Sequence, residues 1–109
     1  MAFDPALAQR VRQALGPLPG LTEKKMFGGI AFLLHGNLAC GVIGADLIVR
    51  VGPVQHAVAL AQRGARVFDF SGKPMSGWVT VGPAGYASEE DLARWVKLAV
   101  EFAGSLPAK

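Results

Sequence analysis

Cysteine is almost absent from this 109-residue chain, in which Cys40 is the only one. A single cysteine allows no intrachain disulfide and no cluster of thiolate ligands for a metal. Cys40 follows Leu38 and Ala39 in an apolar run, so we expect a small buried side chain and not a reactive thiol. Asp4 and Pro5 interrupt the start of the chain, which argues against a signal peptide. These absences predict a cytoplasmic protein.

Charged residues are also scarce, at 17% against an average of about 25%. The net charge is +3, but no run of like charge is longer than the pair Lys24 and Lys25. Because nucleic-acid surfaces carry clustered basic groups, direct nucleic-acid binding is kept as an alternative and is not favoured. The apolar fraction of 51% fits one domain, and the low charge leaves room for self-association through an apolar face.

Arrangements typical of catalysis or cofactor binding are missing from the sequence. His35 and His56 have no partners at the spacing of zinc ligands. The serines lie at turns or at a helix cap, outside any Gly-x-Ser-x-Gly elbow. Two Gly-x-x-Gly matches, at residues 41–44 and 82–85, predict turns and not phosphate loops. We therefore predict no enzyme activity, no catalytic residue, no metal ligand and no cofactor.

An uncharged stretch of 20 residues, from residue 26 to 45, is long enough to span a bilayer. It contains five glycines, and Gly36 followed by Asn37 is a strong hairpin signal between two strand-like runs. We therefore predict a hairpin of paired strands in this stretch and no membrane association.

Three helices are predicted from capping residues and helical spacing. Asp4 and Pro5 are favourable at the start of the first helix, and Gly16 stops it. Ser88 caps the last helix, whose first turn is acidic. The second helix opens at Pro53 and carries an apolar stripe: Val54, Ala57, Val58 and Ala61.

Five strands complete the predicted fold, at residues 29–35, 38–43, 47–51, 66–70 and 78–81. The turns between the first three are so short that these strands must be antiparallel neighbours. In the third strand Leu47, Val49 and Val51 share an apolar face, with Ile48 and Arg50 on the other. The order is helix-β-β-β-helix-β-β-helix, and we expect a single domain over residues 1–109.

Positive charge and one aromatic ring define a candidate interaction surface, made of Lys24, Lys25, Arg50, Lys73 and Trp78. A solvated rim around the sheet is the alternative explanation for the same residues. A small-ligand or enzymatic site near Trp78 stays open as a further alternative.

The segment Met26-Phe27-Gly28-Gly29 places two glycines where a strand begins, although glycine in a strand loses backbone entropy. We expect Gly28 and Gly29 to allow a kink or bulge there. This would seat Met26 and Phe27 in the core and leave the two preceding lysines at the rim.

This segment, the turn at Gly36 and Asn37, and residues 46–51 resemble the N-terminal domain of the TfoX (Sxy) family of bacterial competence regulators. The resemblance covers a core of residues 5–103. Its later motifs are Phe68-Asp69-Phe70, Lys73-Pro74-Met75, Trp78, Leu92 and Trp95.

The resemblance implies an α+β fold with one five-stranded antiparallel sheet, similar to type III secretion chaperones, and it supplies no catalytic residues. Full-length members promote transcription of DNA-uptake genes together with a cyclic-AMP receptor protein. We therefore expect a stand-alone, non-enzymatic domain that acts by protein–protein contact in transcriptional regulation. A homodimer formed through the sheet or the second helix is the related alternative.

Overall fold

The computed structural model describes residues 3–26, 28–70 and 73–108, without the side chains of Phe70, Lys73 and Pro74. The strands are β1 (Leu21–Met26), β2 (Gly29–Leu34), β3 (Asn37–Ile43), β4 (Asp46–Arg50), β5 (Ala65–Phe70) and β6 (Lys73–Val81). The helices are α1 (Pro5–Leu15), α2 (His56–Leu60), α3 (Pro83–Tyr86) and α4 (Glu89–Gly104).

The strands form one antiparallel sheet in the order β1-β2-β3-β4-β6-β5. The α+β prediction is confirmed, but the predicted number of five strands is wrong because β1 is a sixth. β1 pairs only with β2, and its residues 22–25 are all exposed. Such an edge strand has no alternation of apolar and polar residues, so the pattern that reveals half-buried strands is absent from it.

The first and last helices are confirmed with their predicted caps. Oδ1 of Asp4 accepts a hydrogen bond of 2.9 Å from the Ala6 amide, and Oγ of Ser88 accepts one of 3.0 Å from the Asp91 amide. These bonds satisfy amides that have no partner inside the helix.

The second helix is shorter than predicted and begins at His56, because residues 53–55 form a turn. No side chain caps its first turn, and Ala59 is its buried residue, so little holds a longer helix in place. Residues 82–85 are predicted as a turn, but Gly82 is instead the N-cap of α3 and residues 83–85 belong to that helix, with Pro83 in the favourable first position.

The β2–β3 hairpin is confirmed, with its turn one residue earlier than predicted. His35 (φ 52°) and Gly36 (φ 83°) are the two turn residues, as in a type I′ turn. Asn37 already belongs to β3; it is buried, and its Nδ2 donates a 2.9 Å hydrogen bond to the Pro107 carbonyl. Among the helices that the structure describes, none has both the length and the apolar character needed to cross a membrane.

The two glycines of the Met26–Gly29 segment have different tasks. Gly28 (φ 75°) lies in the turn between β1 and β2, so the expected kink or bulge at a strand entry is in fact a hairpin turn. A Cβ on Gly29 would lie 2.1 Å from the Val42 carbonyl oxygen, so this position admits only glycine without a shift of the backbone. Phe27 lies outside the described residues.

The sheet has two faces with different coverings. One face packs against α1 and α4, and Phe32, Leu47 and Val49 are fully buried there. This confirms the apolar face predicted for residues 47–51, the third predicted strand, which is β4 in the structure. We call the other side the outer face; it carries the cross-strand row Lys24, Ala31, Gly41, Ile48, Thr80. Met26 is half-buried on the outer face, so its predicted place in the main core is wrong.

Candidate functional site

Arg50 and Trp78, two of the predicted surface residues, lie together. They are cross-strand partners in β4 and β6, and Cζ of Arg50 is 5.3 Å from the centroid of the Trp78 ring. The same atom is 5.3 Å from the centroid of the Phe102 ring, on α4. Trp78 also contacts Phe68, with 5.9 Å between ring centroids. Arg50 is therefore a half-buried cation stacked against two aromatic rings.

The predicted lysines are placed differently. Lys24 and Lys25 are both exposed, as expected, and they are adjacent on β1, so their side chains leave opposite faces of the sheet. Lys24 pairs with Ala31 on the outer face, whereas Lys25 pairs with Ile30 on the helix-covered face. The side chain of Lys73 lies outside the described part of the chain. The contacts that the structure describes thus join Arg50 and Trp78 but do not bring Lys24 and Lys25 together.

A groove of about 610 Å³ runs between α2 and α4. We call it the α2–α4 groove. Its apolar part is formed by Ala59, Trp95 and Leu98, of which Ala59 and Trp95 are buried. The indole nitrogen of Trp95 donates a 3.1 Å hydrogen bond to the Gly85 carbonyl, which fixes this ring at the base of the groove. A rigid apolar base therefore lies between the two helices.

The borders of the α2–α4 groove combine exposed valines with charges of both signs. Val58 lines the groove and is 60% exposed, and Val54, which is 89% exposed, directly precedes the lining residue Gln55. On α4 the bordering residues recur at helical spacing: Asp91, Arg94, Lys97 and Glu101. Arg94 and Asp91 form an ion pair with each other. An apolar base with a charged rim is the usual anatomy of a protein contact surface.

Two buried titratable groups are explained by packing. Burial raises the pKa of the Cys40 thiol to about 12, which fits the predicted inert side chain. Burial also raises the pKa of Tyr86, whose hydroxyl donates a 2.6 Å hydrogen bond to the Ala45 carbonyl. Within residues 3–26, 28–70 and 73–108, no group of three or more His, Cys, Asp or Glu side chains is arranged to hold a metal.

Sequence reasoning did not find the α2–α4 groove. Leu92, Trp95 and Val96 are at helical spacing and form part of the buried face of α4. The groove lies on the flank of that face, and its other wall is a five-residue helix whose position depends on packing. The sequence did not reveal that Val54 and Val58 are exposed, and without this the groove could not be predicted.

A six-stranded antiparallel sheet, covered on one face by helices, defines an α+β domain whose described surface carries an interhelical groove. The family of the TfoX N-terminal domain matches residues 13–103, most of the chain. The chain therefore belongs to the TfoX N-terminal domain family. No curated protein and no solved structure matches it. The expected likeness to type III secretion chaperones accordingly stays a prediction.

Proposed function

We propose that this chain is a non-enzymatic protein-interaction domain that acts in transcriptional regulation of the competence type, and that the α2–α4 groove is its contact surface. The observation that carries the proposal is the exposure of Val54 and Val58 beside a groove with an apolar base. Leaving such side chains in water forgoes the stabilisation that burial would supply, about 1.5–3 kcal/mol for a valine that becomes fully buried. A partner that covers both valines recovers this energy.

The groove favours a helical partner segment. Its two walls are themselves helices, and an amphipathic helix laid between them would place an apolar stripe on Val58, Ala59 and Leu98. From Asp91 to Glu101 the α4 wall covers eleven residues, and the ten helical steps between them span about 15 Å, or nearly three turns of a bound helix. The mixed charges at the rim would orient that helix.

Site-specific photo-cross-linking tests the contact surface. A photoreactive residue at position 58 should capture a protein partner in cells, whereas the same residue at position 14, on the exposed side of α1, should not. Capture of the same proteins from both positions would contradict the proposed groove. A cross-linked product of twice the chain mass would instead identify a second copy of this chain as the occupant.

The regulatory role is tested by V58E against the matched control A14E, which also places a glutamate on an exposed helix surface. Val58 is 60% exposed, so V58E should leave the thermal unfolding temperature nearly unchanged. We expect V58E to abolish the partner cross-link and the transcript changes caused by the wild-type chain, and A14E to retain both. Unchanged transcription with V58E would overturn the proposal.

Direct nucleic-acid binding has less support. Arg50 is already stacked against Trp78 and Phe102, and the two adjacent lysines leave opposite faces of β1. Binding driven by phosphates must weaken steeply as salt rises. A salt-sensitive gel shift that V58E leaves intact would favour this alternative over the protein-interaction role.

A further inference from the structure

The outer face of the sheet contains a second, separate cavity of about 150 Å³. Its lining comes from all six strands: Met26, Ile30, Ala31, Leu38, Gly41, Ile43, Ile48, Phe68, Met75 and Trp78. In a flat sheet, β1 and β5 would lie about 24 Å apart across five strand spacings. A cavity this small that touches both edge strands therefore requires a strongly curved sheet.

The curvature coincides with a large bulge in β6. Val79 pairs with Val67, but Pro74 pairs with Asp69, so residues 75–78 lie opposite Phe68 alone. Gly77 adopts φ 87° within this bulge, and its carbonyl accepts hydrogen bonds from the amides of Val51 (2.8 Å) and Gly52 (3.0 Å). A bulge bends its strand, and here Met75, Phe68 and Trp78 are brought over the outer face.

Two small residues create the space inside the cavity. Ala31 and Gly41 are cross-strand partners, and the next residue in the row is Ile48. A Cβ on Gly41 would lie 2.8 Å from the Ile30 carbonyl oxygen, so the backbone itself keeps a glycine there. Ala31 is buried and could be replaced by a larger side chain that grows into the cavity.

The lining is hydrocarbon and thioether throughout, apart from the indole nitrogen of Trp78. A space of about 150 Å³ with an almost wholly apolar lining is large enough for a guest of the size of benzene. We propose that this cavity is a binding site for a small, uncharged, apolar molecule with a single ring. The proposal does not depend on the α2–α4 groove, with which the cavity shares no lining residue.

The methionines indicate where such a ligand enters. Met75 is the most exposed lining residue, at 37%, and Met26 is half-buried on the edge strand β1. Methionine has three rotatable bonds and adapts its shape readily, so these side chains can move aside and close again over a ligand. The floor, by contrast, is made of buried residues in paired strands: Ala31, Gly41 and Ile48.

Methyl NMR tests the site directly, because Ile43 and Ile48 are on the outer face and line the cavity. Titration with toluene should shift the Cδ1 methyl signals of Ile43 and Ile48 in a saturable way and raise the unfolding temperature. The methyl signal of Ala8, fully buried against the other face, should not move. Absence of a saturable shift up to the solubility of toluene would overturn the proposal.

A pair of alanine-to-leucine variants supplies the matched control. A31L should fill the cavity and abolish the toluene shifts, whereas A57L, on the exposed surface of α2, should bind toluene as the wild type does. If A31L does not fold, I48A serves instead, since it enlarges the cavity and should change the preferred guest from toluene to naphthalene. Equal toluene binding by A31L and the wild type, or an unchanged preference in I48A, would contradict the site.

Discussion

Adjacent residues of the same strand lie on opposite faces of the sheet, and the two faces are packed differently. On the helix-covered face, Phe32 and Val49 are fully buried among the side chains of α1 and α4. On the outer face their chain neighbours Ala31 and Ile48 border a cavity of about 150 Å³. The helix-covered face is closely packed and forms the core, whereas the outer face contains a cavity. We therefore expect substitutions in the filled face to cost more stability than substitutions beside the cavity, which is the proposed ligand site.

The largest expected effect is the loss of a core side chain on the helix-covered face. F32A should lower the free energy of unfolding by about 3–5 kcal/mol, because it removes a fully buried aromatic ring and leaves a void. M75A, on the outer face, should cost less than about 1 kcal/mol, because Met75 is 37% exposed beside existing space. Chemical denaturation measures both values. Similar losses from the two variants would remove the proposed difference between the faces.

Cys40 makes the helix-covered face sensitive to alkaline pH. Its pKa is about 12 in the folded chain because of burial and returns to an ordinary value near 9.0 on unfolding. Below pH 9 the Cys40 thiol keeps its proton in both the folded and the unfolded state, so its titration does not lower the stability of the fold. Between pH 9 and 12 only the unfolded state loses that proton, so stability should fall by about 1.4 kcal/mol per pH unit.

The matched variant for this pH dependence is C40A. It should show a shallower loss of stability above pH 9, with the remainder including Tyr86, whose pKa is also raised. In the wild type, a thiol reagent at pH 8 should react after denaturation and not before. Rapid reaction of the native chain would show that water reaches Cys40, and hence that the helix-covered face is less tightly packed than its burial indicates.

A single type of substitution, alanine to leucine, compares the packing of the two faces. A99L inserts a larger side chain at a fully buried position of α4 and should destabilise the chain by about 1–3 kcal/mol. A31L adds the same atoms beside the outer-face cavity and should change stability by less than about 1 kcal/mol. Thermal and chemical denaturation of the two variants check this. An equal cost would show that the cavity cannot accept the added atoms.

The sequence predicted the helix-covered face better than the outer face, for a physical reason. Leu47, Val49 and Val51 are apolar residues at every second position of one face, and the caps Asp4 and Ser88 are local signals. The edge strand β1 has no such pattern, since residues 22–25 are exposed on both faces. The cavity depends on pairs distant in sequence, such as Ala31 with Gly41, and on the bulge opposite Phe68. No local signal reports such pairings.

Arg50 connects the two faces, and its removal should have a smaller effect than the loss of the Phe32 ring. It lies at the end of β4, against Trp78 from the outer face and Phe102 from α4. A stacked cation and ring at a partly exposed site contribute about 0.5–1 kcal/mol, so R50A should cost about 1–2 kcal/mol over the two rings. Double-mutant cycles of R50A with W78A and with F102A separate the contributions, because each cycle isolates one pair. Coupling to both rings, of similar size, would show that Arg50 joins the packed face to the face that holds the cavity. Coupling to Phe102 alone would assign Arg50 to the core, and the outer face would then be independent of it.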